Sequence, residues 1–144
     1  MMKIAFGSDH GGFEYKNAII KHLEDRGFEC LDCGCFDDSS CDYPDYAKKV
    51  AASVAGGECG LGILVCGTGI GMSICANKVP GIRASVCTNE FMTKATKEHN
   101  DANILCLGAR VIDEDLAIKL ADIFVDTPFS NDERHIRRIN KLES

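Results

Sequence analysis

The chain has 144 residues, a net charge of −6 and a hydrophobic fraction of 45%, which predicts one domain over residues 1–144 with a sizeable core. The acidic excess argues against a general nucleic-acid surface, and no apolar run is long enough to span a membrane. Residues 1–10 lack the apolar core of a signal peptide, so we expect a cytoplasmic location.

Strand-like and helix-like patterns alternate along the chain. Short apolar runs predict strands at residues 3–7, 28–32, 61–66, 83–86 and 104–107. Helical spacing and capping residues predict helices at residues 13–26, 43–55, 69–78, 90–99, 113–124 and 132–142. This order predicts an α/β fold, namely a single-domain, doubly wound (Rossmann-like), five-stranded parallel sheet with helices on both faces and a C-terminal helix.

The most informative segment is the third predicted strand and the glycine-rich turn Gly67-Thr68-Gly69-Ile70-Gly71 that follows it. Such a turn brings several backbone N–H groups together and favours a bound anion. The spacing fits neither the dinucleotide fingerprint, since Met72 stands where a glycine would end the turn, nor a phosphate-binding loop with Gly-Lys-Ser/Thr. A tight structural turn is the simpler alternative.

Cys66 stands directly before this turn. Converging N–H donors and a helix N-terminus stabilise a thiolate, which predicts that Cys66 is a base that works near neutral pH. The alternative is a buried, inert thiol.

In doubly wound folds, ligands bind at the carboxyl ends of the strands. Polar or reactive residues follow four predicted strands, at Ser8-Asp9-His10, Cys66 to Gly71, Cys87-Thr88-Asn89 and Gly108-Ala109-Arg110.

Other candidate residues each have a plain structural interpretation. Asp9 can cap a turn, His99 can interact with the dipole at a helix end, and Asp42-Tyr43-Pro44 can simply begin a helix. The basic cluster at residues 134–138 can be a solvated helix face.

The nine cysteines are predicted to be reduced thiols, since the number is odd and no export signal is present. Cys30, Cys33, Cys35 and Cys41 raise the alternative of a zinc or thiol-redox protein. The spacing does not repeat as two CxxC pairs, and an extended strand would spread these side chains apart. We therefore expect no metal site.

Short motifs occur in order along nearly the whole chain: Gly7-Ser8-Asp9-His10-Gly11-Gly12, Asp42-Tyr43-Pro44, Cys66-Gly67-Thr68-Gly69-Ile70-Gly71, Asn77-Lys78, Gly81-Ile82-Arg83, His99-Asn100-Asp101-Ala102-Asn103, Gly108-Ala109-Arg110 and Arg134-His135-x-x-Arg138. Together they resemble the ribose-5-phosphate isomerase B family, which also includes the galactose-6-phosphate isomerase subunits. The resemblance implies an aldose–ketose isomerase of the pentose phosphate pathway. An enzyme of this family is expected to interconvert ribose 5-phosphate and ribulose 5-phosphate through a cis-enediolate, without metal or organic cofactor.

The resemblance also implies a homodimer or homotetramer whose active sites are shared between subunits. It makes Cys66 the proton-moving base, Thr68 a proton shuttle and His99 the acid that opens the sugar ring. The remaining residues implied to bind substrate are Asp9, His10, Tyr43, Gly67, Gly69, Ile70, Gly71 and Asn100, with Arg110, Arg134 and Arg138 on the phosphate.

Three residues bear on the branch of the family and on the phosphate site. One branch uses a glutamate just past the glycine loop as base, and here that position is Met72, so the chain resembles the cysteine branch. Asp132 and Glu133 replace a glycine pair common in relatives, which predicts weaker attraction of phosphate to Arg134.

The alternatives to a ribose-5-phosphate isomerase are an isomerase of allose or galactose 6-phosphate and a non-catalytic sugar-phosphate-binding protein.

Overall fold

The structure is a computed structural model that describes residues 2–144. It contains one parallel sheet of five strands in the order β2-β1-β3-β5-β4. The strands are β1 (Lys3–Ser8), β2 (Glu29–Asp32), β3 (Leu61–Cys66), β4 (Ala84–Val86) and β5 (Ile104–Gly108). The predicted fold class is confirmed, and the predicted strand ends agree to within one residue.

Six α-helices connect and flank the strands: α1 (Phe13–Asp25), α2 (Tyr43–Ala55), α3 (Ile70–Ala76), α4 (Glu90–Asn100), α5 (Glu114–Asp126) and α6 (Glu133–Glu143). Side chains cap three of them, since Asn89, Asp113 and Asp132 accept hydrogen bonds from backbone N–H groups of the first turns. The predicted α3 is too long at its C-terminal end, because the helix stops at Ala76.

The helices cover both faces of the sheet and bury its central strands. On one face, Ile19 of α1 and Leu120 and Phe124 of α5 pack against the strands. On the other face, Val50 of α2 and Met72 of α3 do the same. Both faces of β3 are therefore covered, which is why its sequence is a continuous apolar run. No helix within residues 2–144 has the length and apolar character needed to cross a membrane.

The parallel arrangement gives the sheet two chemically different edges. At its carboxyl edge, the ends of β1, β3 and β5 lie side by side, because Ser8 pairs with Val65 and Cys66 pairs with Gly108. The opposite, amino edge receives the C-terminal end of α4, where the backbone N–H of Asn103 donates to the carbonyl of Arg83. This division decides which predicted site residues can meet within one chain.

Candidate active site

Cys66 is the last residue of β3 and lies at the carboxyl edge. Its side chain is buried, and its Sγ accepts a hydrogen bond from the backbone N–H of Gly69 at 3.0 Å. An N–H group directed at sulfur stabilises a thiolate more than a neutral thiol. The residue predicted to be the base thus has a contact suited to that role.

The backbone of the glycine loop packs closely against β5. Gly69 has a φ of 82°, in the left-handed region that glycine adopts without strain. A Cβ at Gly69 would lie 3.0 Å from the carbonyl carbon of Leu107, and one at Gly108 would lie 2.6 Å from the carbonyl oxygen of Thr68. Glycine at both positions lets the loop sit directly on the end of β5.

The loop offers free hydrogen-bond donors beside the sulfur. The N–H of Ile70 donates to Thr68 Oγ1 at 3.2 Å, so the hydroxyl proton of Thr68 stays available for another acceptor. Among the described residues 2–144, no acceptor is bonded to the backbone N–H groups of Gly67, Thr68 and Gly71. Unpaired N–H groups on one tight turn are suited to binding a negative oxygen.

Arg110 lies next to the loop because backbone hydrogen bonds hold it there. Its N–H donates to the carbonyl of Gly67 at 2.9 Å, and the N–H of Ala109 donates to the carbonyl of Cys66 at 2.8 Å. The Arg110 side chain passes within 3.6 Å of the Cβ position at Gly67. The backbone of Arg110 is therefore anchored beside the loop and its side chain passes along it, as predicted from its place after β5.

Asp9 and His10 follow β1 at the same edge. Asp9 Oδ1 accepts from the N–H of Gly12 at 3.1 Å, so its capping interpretation is confirmed, and residues His10–Gly12 form a 3₁₀ turn. His10 Nδ1 accepts from the N–H of Cys41 at 3.3 Å. With Nδ1 accepting, a neutral His10 carries its proton on Nε2.

The ring of Tyr43 covers Gly71 from the start of α2. A Cβ at Gly71 would lie 2.7 Å from the ring, so only glycine allows this contact. Tyr43 is 39% exposed and forms one wall beside the loop. The structure thus brings together Asp9, His10, Tyr43, Cys66, Arg110 and residues 67–71.

The other predicted residues lie at the amino edge. His99 and Asn100 end α4, and the carbonyl of Asn100 accepts from Arg83 Nε at 2.9 Å. Cys66 pairs with the far end of β5, so the length of that strand, roughly 13 Å, separates the two groups. Within one chain, His99 and Asn100 do not reach Cys66.

Arg134 and Arg138 are exposed on α6. Because α6 packs against α4, both arginines lie on the same side of the chain as His99 and Asn100. Asp132 caps α6 by accepting from the N–H of Arg134 at 3.0 Å, and its other carboxylate oxygen lies 3.6 Å from Arg134 Nε. The carboxylate therefore contacts the guanidinium whose attraction for phosphate it was expected to weaken.

Sequence reasoning missed His135. The residue was treated as part of a solvated basic cluster, but it is 7% exposed and its ring stacks on His99 with centroids 4.4 Å apart. Burial lowers the pKa of His135, and the neighbouring His99 and Arg134 lower it further. The signal that could have found it is Ile139, an apolar residue one helical turn away on the same face.

Comparison with known proteins decides which family has this arrangement. The Ribose/Galactose Isomerase family matches residues 4–142. Ribose-5-phosphate isomerase B of Escherichia coli (strain K12) is 45% identical over 142 residues, which are 99% of this chain and 95% of that protein. The chain belongs to the ribose/galactose isomerase family. The resemblance found in the sequence motifs is confirmed.

Solved structures of ribose-5-phosphate isomerase B share the fold of this family member. The Clostridium thermocellum protein superposes with a TM-score of 0.97 at 51% identity, over 99% of this chain and 95% of that one. The Mycoplasma genitalium protein, whose structure contains bound ribulose-5-phosphate, gives 0.93 at 38% identity, over 98% and 93%.

The remaining cysteines of this isomerase-family chain are free thiols. Burial raises the pKa of Cys30 to about 11 and also raises that of Cys33, which makes both poor thiolate ligands at neutral pH. Within residues 2–144, no three His, Cys, Asp or Glu side chains are grouped to hold a metal ion.

A cavity of about 550 Å³ also lies at the amino edge, between residues 77–85, Asn100 and the end of α6. It contains no residue of the glycine loop. The cavity is therefore separate from the carboxyl edge, where Cys66 and the glycine loop lie.

Proposed function

We propose that this chain is an aldose–ketose isomerase that interconverts D-ribose 5-phosphate and D-ribulose 5-phosphate through a cis-enediolate. The observation that carries the proposal is the contact between Cys66 Sγ and the Gly69 amide, beside three unpaired loop amides. Family membership supports it, as does the related protein that holds ribulose-5-phosphate.

Cys66 is the base in this reaction. Its thiolate takes the proton from C2 of the open-chain aldose, and the electron pair of the C–H bond forms the C1–C2 double bond of the enediolate. The loop amides stabilise the negative oxygen that develops. Return of the proton to C1 gives the ketose, so the reaction is balanced without a metal or organic cofactor. The hydroxyl of Thr68, whose proton is free, moves a proton between the two oxygens.

His99 is the acid that opens the sugar ring. It donates a proton to the ring oxygen as the bond from C1 to that oxygen breaks, and the C1 hydroxyl releases its own proton to solvent. The exposed position of His99 fits this role, because a bound sugar must reach it from outside the chain.

A second copy of the chain completes each site. Cys66 and His99 lie at opposite edges of the sheet, so one site receives its base from one subunit and its acid from the other. The result is a homodimer, or a homotetramer built from such dimers. The sugar sits between Asp9, His10 and Tyr43 of one subunit and Asn100 of the other, with Arg110, Arg134 and Arg138 around the phosphate.

Residues 1–144 act as one domain in this proposal, and the reaction takes place in the cytoplasm. Nine free thiols fit the reducing conditions of that compartment.

Steady-state kinetics test the proposal. Ribose 5-phosphate, allose 6-phosphate and galactose 6-phosphate are compared as substrates in the presence of a chelator. We expect the highest kcat/KM with ribose 5-phosphate and no effect of the chelator. Higher kcat/KM with a hexose phosphate would make the chain a hexose-6-phosphate isomerase, the second activity that the family description covers. Binding without turnover of any substrate would leave only a sugar-phosphate-binding protein.

A further inference from the structure

The imidazole rings of His99 and His135 form a stacked pair between α4 and α6. Their centroids are 4.4 Å apart and their planes differ by 19°. This spacing is typical of stacked aromatic side chains. His135 is buried while His99 is exposed, so the interior ring covers one side of a ring that otherwise faces outward.

We propose that His135 is a positioning residue that holds the His99 imidazole in the orientation from which it protonates the sugar ring. The inference rests on the proposed function, since it assigns a partner to the ring-opening acid. An exposed histidine at a helix end samples several rotamers, and a flat ring packed on one side restricts them.

The same contact attaches α6 to the rest of the chain. All eleven residues of α6 are described, and His135 is the only one of them that is buried. Arg134 and Arg138 lie on either side of it in the helix. The stack therefore couples the position of the acid to that of two arginines proposed to bind phosphate.

The charges around His135 disfavour a proton on its ring. The groups that act on His135 are His99 from α4, Arg134 and Arg138 from α6, and Asp132 from the cap of α6. Burial and the three basic side chains lower the pKa of His135, whereas Asp132 alone raises it. A neutral His135 places no second positive charge against the ring of the proposed acid.

The test separates ring opening from proton transfer at carbon. Ribose 5-phosphate is mostly a closed furanose, whereas ribulose 5-phosphate cannot close this ring because its C5 oxygen carries the phosphate. Turnover of ribose 5-phosphate therefore needs the acid, and exchange of the C1 hydrogen of ribulose 5-phosphate with deuterated water needs only the base. Both are measured for the wild type, His135→Leu, His135→Phe and the exposed control Asn140→Ala.

We expect His135→Leu to lower kcat for ribose 5-phosphate about tenfold, while exchange into ribulose 5-phosphate stays within about twofold of the wild type. His135→Phe keeps a flat ring and should restore most of the loss, and Asn140→Ala should match the wild type. Equal loss of both reactions, or no loss, overturns the proposal. A raised KM for both sugars with unchanged kcat also overturns it, because His135 would then only anchor α6.

Proton NMR of the wild type gives a test that needs no variant to fold. We expect ring-current shifts of the His99 ring protons relative to those of exposed His10, and their absence overturns the stack. Failure of the proposed function looks different: the wild type would then catalyse neither turnover nor exchange, and the positioning role would fall with it.

Discussion

The backbone N–H of Gly69 donates a hydrogen bond to Cys66 Sγ at 3.0 Å. The contact depends on a left-handed φ of 82° at Gly69, which turns the peptide back toward the end of β3. A buried sulfur at the end of a strand thereby gains a backbone donor. The backbone of the loop, more than any single side chain, creates the environment of Cys66, the proposed base.

Replacement of Gly69 by alanine should disable this loop. The substitution strains φ and places a Cβ 3.0 Å from the carbonyl carbon of Leu107, and we expect a loss of about 2–3 kcal/mol in the free energy of unfolding together with most of the activity. Gly57 is a matched control, because its φ is 83° and nothing lies within 4 Å of its Cβ position. Gly57→Ala should cost about 1 kcal/mol and leave kcat unchanged. Denaturant unfolding and kinetics measure both, and equal effects would contradict the prediction.

Replacement of Cys66 by serine should remove the base without emptying the site. A hydroxyl is much less acidic than a thiol, so we expect kcat to fall by about 10²–10⁴-fold with little change in KM. The hydrogen exchange of ribulose 5-phosphate should fall in parallel. Cys30→Ser is the control, since Cys30 lies on β2 away from the loop. Wild-type turnover by Cys66→Ser would disprove the assignment of the base.

Two inactive variants should complement each other if the active site is shared. Cys66→Ala and His99→Asn are each expected to be inactive on ribose 5-phosphate. After unfolding and refolding as an equal mixture, half of the dimers are mixed and each mixed dimer has one intact site, so about a quarter of wild-type activity should return. No recovery, with mixed dimers shown by mass spectrometry, would place both residues in the site of one subunit.

The buried ion pair between Lys16 and Asp32 should stabilise the loop after β2. Lys16 Nζ lies 2.7 Å from Asp32 Oδ2 with its side chain fully buried, and Asp32 Oδ1 also accepts from the N–H of Gly34. Asp32→Asn leaves a buried ammonium without its counter-charge, and we expect a loss of about 3 kcal/mol in the free energy of unfolding.

The exposed pair Lys21 and Asp25, one turn apart on α1, is the matched control for this ion pair. Asp25→Asn should change the free energy of unfolding by less than about 0.5 kcal/mol. Urea unfolding measures both variants. A loss at Asp32 as small as that at Asp25 would show that the buried pair does not stabilise the fold.

His135 should make the protein less stable at mildly acid pH. Its pKa is lowered in the folded chain, so the unfolded chain binds the extra proton more readily. The free energy of unfolding is therefore unaffected by His135 above the ordinary histidine pKa of about 6.5. It declines as the pH falls from there toward the lowered pKa of His135 in the folded chain. His135→Phe, which cannot take up a proton, should lose less stability over this range. Thermal unfolding at pH 7.5 and 5.5 compares the two, and parallel declines would exclude His135 as the cause.

Local sequence patterns predicted most of the fold and the grouping of residues at the carboxyl edge. The apolar run of β3 and the capping residues Asn89, Asp113 and Asp132 act within a few residues, so their structural effect can be read directly. The rule for carboxyl ends of parallel strands then grouped Asp9, Cys66 and Arg110 correctly. The 3₁₀ turn after Asp9 was not predicted, because it depends on the close approach of Gly12 to the carbonyl of Val65 on the neighbouring strand.

The sequence by itself determined the order of strands and helices and the glycine loop after Cys66, since both follow from short-range spacing and backbone freedom. Only the tertiary structure decided that His99 lies a strand's length from Cys66, because α4 returns from the carboxyl edge to the amino edge before β5 begins. It also decided that His135 is buried on His99. The packing of α6 on α4 joins residues thirty-six positions apart, and no local pattern specifies such a contact.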